Sequence, residues 1–123
     1  MFKNLSLLFF KILSFFDLIL KTFSNRSFLS LFQEFFLNNA YKEIIILDNK
    51  IKFFTPNQLT EYRVNTFFTK EPDMLGWIDS FKKIDDLVFW DIGSNIGLYS
   101  IYNALKNKSS TTISFEPSTS NLR

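Results

Sequence analysis

The sequence lacks cysteine and histidine altogether, and these two absences exclude several kinds of site. Without cysteine the chain can form neither a disulfide nor a thiolate metal site. Without histidine it cannot supply a histidine base, a Ser-His-Asp triad or a histidine-ligated metal. An excess of one charge is also lacking, because 14 basic residues face 12 acidic ones for a net charge of +2. So small an excess does not indicate a nucleic-acid partner, and we expect neither nucleic acid nor a metal.

Long hydrophobic runs are missing from the amino-terminal third, although the chain has 17 phenylalanines. The longest apolar run in this third is Leu7–Phe10, far short of the roughly 18 residues that a membrane-spanning helix needs. Lys11 and Asp17 would each cost about 2.5–3.5 kcal/mol near mid-bilayer. Polar residues recur instead every three or four positions, at Lys11, Ser14, Asp17, Lys21 and Ser24. This spacing predicts an amphipathic helix with a wide apolar face.

Residues 1–42 form the first predicted region, which holds this helix and a second one over 27–38. Basic residues are in excess there, with Lys3, Lys11, Lys21, Arg26 and Lys42 against Asp17 and Glu34. A basic amphipathic helix can lie on an anionic membrane, so peripheral membrane contact through residues 1–24 is one interpretation. Packing on the chain's own domain or on a second subunit is another, and a membrane span is a third. No small-residue cleavage site follows the helix, and we expect a cytoplasmic protein, with or without peripheral membrane contact.

Residues 43–70 form the second predicted region, a β-hairpin and a connector. The stretch EIIILDNKIKFF predicts strands over 43–47 and 51–54 around the turn residues Asp48 and Asn49. A helix should follow, because Pro72 suits a first helical turn. Four residues at helical spacing predict its core-facing side: Met74, Trp77, Ile78 and Phe81.

Glycine is scarce, with three residues in the whole chain, yet two of them lie four positions apart in VFWDIGSNIGLYS. The run from Leu87 to Trp90 predicts a strand buried on both faces of a parallel sheet. Asp91 follows, the glycines make a turn, and residues 98–105 have helical spacing. The stretch TTISFEP then predicts a second strand that ends at Glu116. Strand, glycine turn, helix and strand are the first half of a Rossmann-like α/β unit, in which ligands bind at the carboxyl ends of the strands.

The ligand class follows from what surrounds the glycines. The dinucleotide fingerprint G-x-G-x-x-G is absent, and no Lys-Ser/Thr pair follows Gly97 as a P-loop requires. The carboxylate of Asp91 would repel a pyrophosphate but favour a cation, and S-adenosylmethionine carries a sulfonium and an ammonium without phosphate. Glu116 can accept hydrogen bonds from both ribose hydroxyls, while Gly93 and Gly97 allow close backbone approach.

These two segments resemble the FkbM family of S-adenosylmethionine-dependent methyltransferases, with its D-hydrophobic-G-A-N-hydrophobic-G motif, a strand ending F-E-P and a following Asn-Leu pair. The resemblance covers about residues 60–123, and within it TKEPDMLGWIDSF is similar to the segment that precedes the core of that family. It implies that the cofactor loop comprises Asp91, Gly93, Ser94 (where the family usually has alanine), Asn95 and Gly97, with Glu116 as ribose acceptor. It also implies O-methyl transfer to a sugar, glycan or secondary metabolite.

The predicted fold class is therefore α/β, a Rossmann-like class I methyltransferase fold preceded by helices and a β-hairpin. Residues 71–123 would be its start, truncated after the second core strand. We expect an amino-terminal fragment, inactive by itself, of a longer enzyme whose catalytic residues lie beyond Arg123. Two alternatives stay open: a dinucleotide-binding Rossmann oxidoreductase, and a membrane-surface or interaction module without enzymatic activity.

Overall fold

The described part of the chain, residues 2–81 and 86–118 of a computed structural model, forms six helices and four strands. The chain divides into two compact units, Met1–Ala40 and Tyr41–Arg123. The first unit holds α1 (Phe2–Ser24) and α2 (Phe28–Asn39). The second holds β1 (Tyr41–Ile46), β2 (Asn49–Phe54), α3 (Gln58–Asn65), α4 (Phe67–Lys70), α5 (Pro72–Asp79), β3 (Val88–Ile92), α6 (Leu98–Lys106) and β4 (Thr111–Phe115). The α/β class predicted from the sequence is confirmed.

Both helices predicted for the first unit are present. Ser27 is the N-cap of α2, and its side chain accepts a hydrogen bond from the Ser30 amide at 3.1 Å, which satisfies one of the open donors of the first turn. Asp17 is the one buried residue of α1, and α2 has none. None of the described helices is long and apolar enough to cross a bilayer.

The predicted hairpin is present, but its turn lies one residue earlier than predicted. Strands β1 and β2 pair antiparallel from Tyr41 opposite Phe54 to Ile46 opposite Asn49. Leu47 and Asp48 make the turn with φ of 46° and 64°, as a two-residue hairpin turn with positive φ at both positions requires. Leu47 therefore belongs to the turn and Asn49 to β2.

Helices α3 and α4 were not predicted. Asn57 is the N-cap of α3 and forms a capping box with Thr60. The Asn57 Oδ1 accepts a hydrogen bond from the Thr60 amide at 3.0 Å, and the Thr60 hydroxyl accepts one from the Asn57 amide. Only Thr60 and Val64 of this helix are buried, so the chain shows too short an apolar stripe for periodicity to reveal it. The helix predicted from Pro72 is confirmed as α5.

The core of the second unit joins the hairpin, helices α3 to α6 and β3. Its buried hydrophobic residues are Ile46, Phe53, Val64, Phe67, Leu75, Ile78, Phe89, Leu98 and Tyr102. The predicted core-facing side of α5 is wrong in part, because the helix buries Leu75 and Ile78 while Met74 and Trp77 stay exposed. Trp77 instead lies across the edge of the core, with its ring 4.8 Å from that of Phe81.

Strands β3 and β4 pair in parallel, as predicted, with α6 as the connecting helix. The prediction that β3 is buried on both faces is wrong. Phe89 is buried, but Val88, Trp90 and Ile92, which point to the opposite face, are exposed. Within the described residues α6 contacts both strands and no layer covers the other face.

Candidate functional site

The glycine loop, residues 93–97, leaves the carboxyl end of β3 and is held there by the neighbouring strand. Ile92 is opposite Phe115 in the parallel register. The Phe115 carbonyl accepts two loop amides, from Gly93 at 2.8 Å and from Ser94 at 3.1 Å. The loop therefore begins as an extension of the strand pairing, and its path is fixed by the end of β4.

Left-handed backbone conformations shape the rest of the loop. Gly93, Asn95 and Gly97 have φ of 79°, 54° and 77°, in a region that glycine adopts readily and asparagine tolerates. The Gly97 amide donates to the Ser94 carbonyl at 2.8 Å and closes the turn. Gly97 then serves as the N-cap of α6 without a capping side chain.

Glu116 ties the loop to the end of β4 with both carboxylate oxygens. Oε2 accepts the backbone amide of Asn95 at 2.6 Å, and Oε1 accepts that of Ser118 at 2.7 Å. Hydrogen bonds from amides to a charged carboxylate are stronger than neutral ones. Glu116 therefore fixes the middle of the loop in addition to any contact with a ligand.

Asp91, in β3, caps the first turn of α6, because the N-cap residue Gly97 has no side chain to do so. Its Oδ2 accepts from the Ser100 amide at 3.1 Å and from the Ser100 hydroxyl at 2.5 Å. The negative charge lies in the first turn of the helix, where it is favourable. Among the described residues, none donates a hydrogen bond to Oδ1 of Asp91.

Two serines next to Asp91 were missed by the sequence reasoning. The hydroxyls of Ser100 and Ser114 lie 2.6 Å apart, and Ser114 is opposite Asp91 in the strand register. Ser100 is buried, and a serine on the buried side of an apolar helix was the available signal. The chain of contacts orients the Asp91 carboxylate.

Asn95 carries an acceptor without a partner. Its side-chain Oδ1 is buried, and no described residue hydrogen-bonds to it. A buried polar atom left unpaired costs about 1–3 kcal/mol. A ligand that donates a hydrogen bond at this position would remove that cost.

A tyrosine of α6 links the loop region to the start of α5. The Tyr99 hydroxyl donates to Oε2 of Glu71 at 2.7 Å. Burial, followed by this hydrogen bond, raises the pKa of Tyr99, and the same hydrogen bond is the main cause that lowers the pKa of Glu71. A cavity of about 630 Å³ lies beside this contact. It is lined by Lys70, Glu71, Pro72, Asp73, Met74 and Trp77, and by none of the predicted site residues.

The structure brings the six predicted site residues into one cluster at the carboxyl ends of β3 and β4. They are Asp91, Gly93, Ser94, Asn95, Gly97 and Glu116. Within residues 2–81 and 86–118, no group of three or more acidic side chains lies close enough to hold a metal ion.

Comparisons with known proteins return no match: no family model fits the chain, and no curated protein or solved structure is significantly similar to it.

Proposed function

We propose that this chain carries the S-adenosylmethionine-binding loop of a methyltransferase with a Rossmann-like class I fold. The proposal rests on the hydrogen bonds that the backbone amides of the glycine loop make. Those of Gly93 and Ser94 bond to Phe115, that of Asn95 to Glu116 and that of Gly97 to Ser94. A pyrophosphate-binding loop needs such amides for its ligand. In this loop the amides form hydrogen bonds within the protein, and two carboxylates lie beside them. This arrangement favours a ligand without phosphate.

The donors and acceptors around the loop suit the chemistry of this cofactor. Oδ1 of Asp91 is an anionic acceptor for a cationic group. The unpaired Oδ1 of Asn95 accepts from an ammonium or a hydroxyl. The carboxylate of Glu116, directly after β4, has two acceptor oxygens, which suit the two hydroxyls of a ribose.

The residues of the loop would bind and orient the cofactor. When bound, S-adenosylmethionine supplies the methyl group that is transferred. Asp91 would hold its cationic part, and its own orientation is fixed by Ser100. The resemblance to the FkbM family extends the proposal to O-methylation of a sugar, glycan or secondary metabolite by a cytoplasmic enzyme.

Calorimetric titration of the chain tests the proposal with two variants that each remove one negative charge. Asp91→Asn removes the charge at the loop but keeps an acceptor oxygen. Asp48→Asn removes it from the hairpin turn, where asparagine tolerates the positive φ. We expect Asp91→Asn to weaken binding of S-adenosylmethionine about tenfold or more, and Asp48→Asn to leave it unchanged.

Titration with NAD⁺ tests the alternative that the chain binds a dinucleotide. A dinucleotide-binding oxidoreductase predicts that NAD⁺ binds, and that Asp91→Asn leaves its affinity unchanged or improves it, because a repulsive charge is lost. That result, together with no binding of S-adenosylmethionine, would refute the methyltransferase proposal. Circular dichroism of each variant verifies that its total helical content is unchanged.

A further inference from the structure

A polar cluster lies at the contact between α1 and α2. Asp17 is only 4% exposed, and its two oxygens each lie 3.1 Å from the Ser27 hydroxyl that donates to them. Oδ1 also accepts the Leu29 amide at 3.0 Å, and Lys21 Nζ lies 3.3 Å from Oδ2. The one buried residue of this helical pair is therefore a carboxylate, fully engaged in hydrogen bonds and an ion pair.

The apolar side chains of the pair lie on the outside. One row on α1 repeats at alternating steps of four and three residues, and we call it the outer stripe: Leu5, Phe9, Ile12, Phe16, Ile19 and Phe23. Every member is exposed, from 41% for Ile19 to 86% for Phe23. In water an amphipathic helical pair buries such a row between its helices. Here the polar residue is inside and the stripe outside, which suits an apolar environment.

The flanks of the outer stripe distinguish a lipid environment from a second helix. A coiled-coil seam is narrow, and charged residues usually border it. Here Leu8 and Phe15 border one side, and Phe2 and Leu20 the other, all exposed. The exposed apolar surface is thus too wide for a single seam, and it has no bordering charges to set the pairing.

Basic residues occupy the side of α1 away from the outer stripe. Lys3 and Lys21 are separated by about five helical turns and so point the same way, and Lys11 projects within a quarter turn or so of them. All three are exposed. With Arg26 they outnumber Asp17 and Glu34 in the first unit. Exposed Leu7 and Leu18 lie among these lysines, but the basic residues of α1 are confined to this side, as they are in a helix on an anionic membrane surface.

A groove between the two helices adds apolar surface next to the stripe. It has a volume of about 820 Å³. Its apolar lining is Phe9, Phe10, Leu13, Leu29, Phe32 and Phe36, and Phe9 belongs to both the groove and the outer stripe. An acyl chain is the part of a lipid that such a groove can accept.

We propose that α1 and α2 form a membrane anchor that lies in the plane of an anionic bilayer. The outer stripe and the groove contact acyl chains, while the lysines of α1 contact the headgroups. Asp17, shielded from lipid by its hydrogen bonds, holds the two helices together. This proposal depends on the first unit alone and is independent of the methyltransferase proposal.

Flotation of the full chain with vesicles tests the anchor. We expect it to float with vesicles of phosphatidylcholine and phosphatidylserine at about 4:1, and much less with phosphatidylcholine alone. Phe16→Gln with Ile19→Gln in the outer stripe should reduce the partition coefficient about tenfold or more. The matched control, Ile45→Gln with Leu59→Gln, removes two exposed apolar side chains from the second unit and should float like the unmodified protein.

A second pair of variants tests the charged side. Lys3→Gln with Lys11→Gln should reduce binding to the anionic vesicles about tenfold or more. Lys52→Gln with Lys108→Gln removes the same charge from the second unit and should not. High salt should release the protein in part, because it screens the headgroup attraction.

Depth of insertion gives a readout that does not depend on the stability of a variant. In a Trp77→Phe, Trp90→Phe background, Phe16→Trp should be quenched by lipids brominated in their acyl chains, and Lys3→Trp should not. Failure to float with any vesicle, with a dimer that the Phe16→Gln, Ile19→Gln variant dissociates, would assign the stripe to a second copy and overturn the proposal. Equal floating with neutral and anionic vesicles would overturn its electrostatic part.

Discussion

Gly97 turns the chain into α6 with φ of 77°, a conformation that costs an L-residue about 1–2 kcal/mol. A Cβ added there would meet no heavy atom within 4 Å, so the cost of a side chain is backbone strain alone. We expect Gly97→Ala to lower the free energy of unfolding by about 1 kcal/mol. Urea denaturation monitored by the helical signal measures it.

The same substitution at Gly76 should have the opposite sign. Gly76 lies inside α5, without positive φ and with no neighbour within 4 Å of an added Cβ. Alanine there should stabilise the protein by roughly 0.5–1 kcal/mol through helix propensity. If both substitutions lowered the free energy of unfolding equally, the left-handed conformation of Gly97 would not explain the need for glycine there.

The sequence predicted the position of the site residues at the ends of β3 and β4, but not the hydrogen bonds that each of them makes. The sequence places Asp91 and Glu116 at the ends of two apolar runs, so their position near the sheet edge could be predicted from the α/β pattern, although Asp91 lies inside β3 and does not follow it. Their hydrogen bonds to Ser100 and Asn95 could not. Those bonds depend on the register of β3 with β4 and on the exact turn of the loop, which no residue pattern in the chain specifies.

Among the elements, the contact of α1 with α2 depends on the ionisation of Asp17. The Leu29 amide is the main cause that lowers the pKa of Asp17, and Ser27 and Lys21 add to it. A lowered pKa means that the stabilisation is present above the usual carboxyl pKa and is lost as the pH falls through the lowered value. We expect the helices to separate in acid, below about the ordinary aspartate pKa of 3.9.

Spin labels on α1 and α2 measure this separation as a distance against pH. Asp17→Asn is the informative variant, because the amide keeps an acceptor for Leu29 but has no proton to gain in this range. Its interhelical distance should not change with pH. An acid transition of the same midpoint in Asp17→Asn would show that Asp17 is not the group responsible.

Elements with a local signal were predicted well. Ser27 and Pro72 indicate the starts of α2 and α5, and both helices begin where expected. The turn of the hairpin was misplaced because Leu47 is a poor candidate for positive φ, yet pairing of the flanking strands forces it there. Helix α3 was missed because it buries only two residues, Thr60 and Val64, of which one is polar.

In the molecule as a whole, both tryptophans should report exposure to solvent. Trp77 is 53% exposed and Trp90 60%, so the emission spectrum should resemble that of free tryptophan and acrylamide should quench it strongly. Trp77→Phe isolates the signal of Trp90 on the uncovered face of the parallel pair. A blue-shifted, unquenched Trp90 would show that this face is covered by another protein surface.

The sequence could not show which apolar faces of the molecule are exposed. An apolar strand such as β3 predicts burial on both faces only if a second layer is present. Likewise, the spacing of α1 predicts a wide apolar face but not which neighbour covers it. The sequence therefore predicted the class of fold and the parallel pairing, and it missed the exposure of Val88 and Trp90.

The internal hydrogen bonds of the glycine loop have a thermodynamic consequence for any ligand that binds there. Glu116 and the Phe115 carbonyl hold the loop amides of Gly93, Ser94 and Asn95 in the free protein. The conformational entropy of the loop is thus lost during folding rather than on association. A ligand meets a preorganised surface, and the affinity from each new contact is not reduced by ordering the loop.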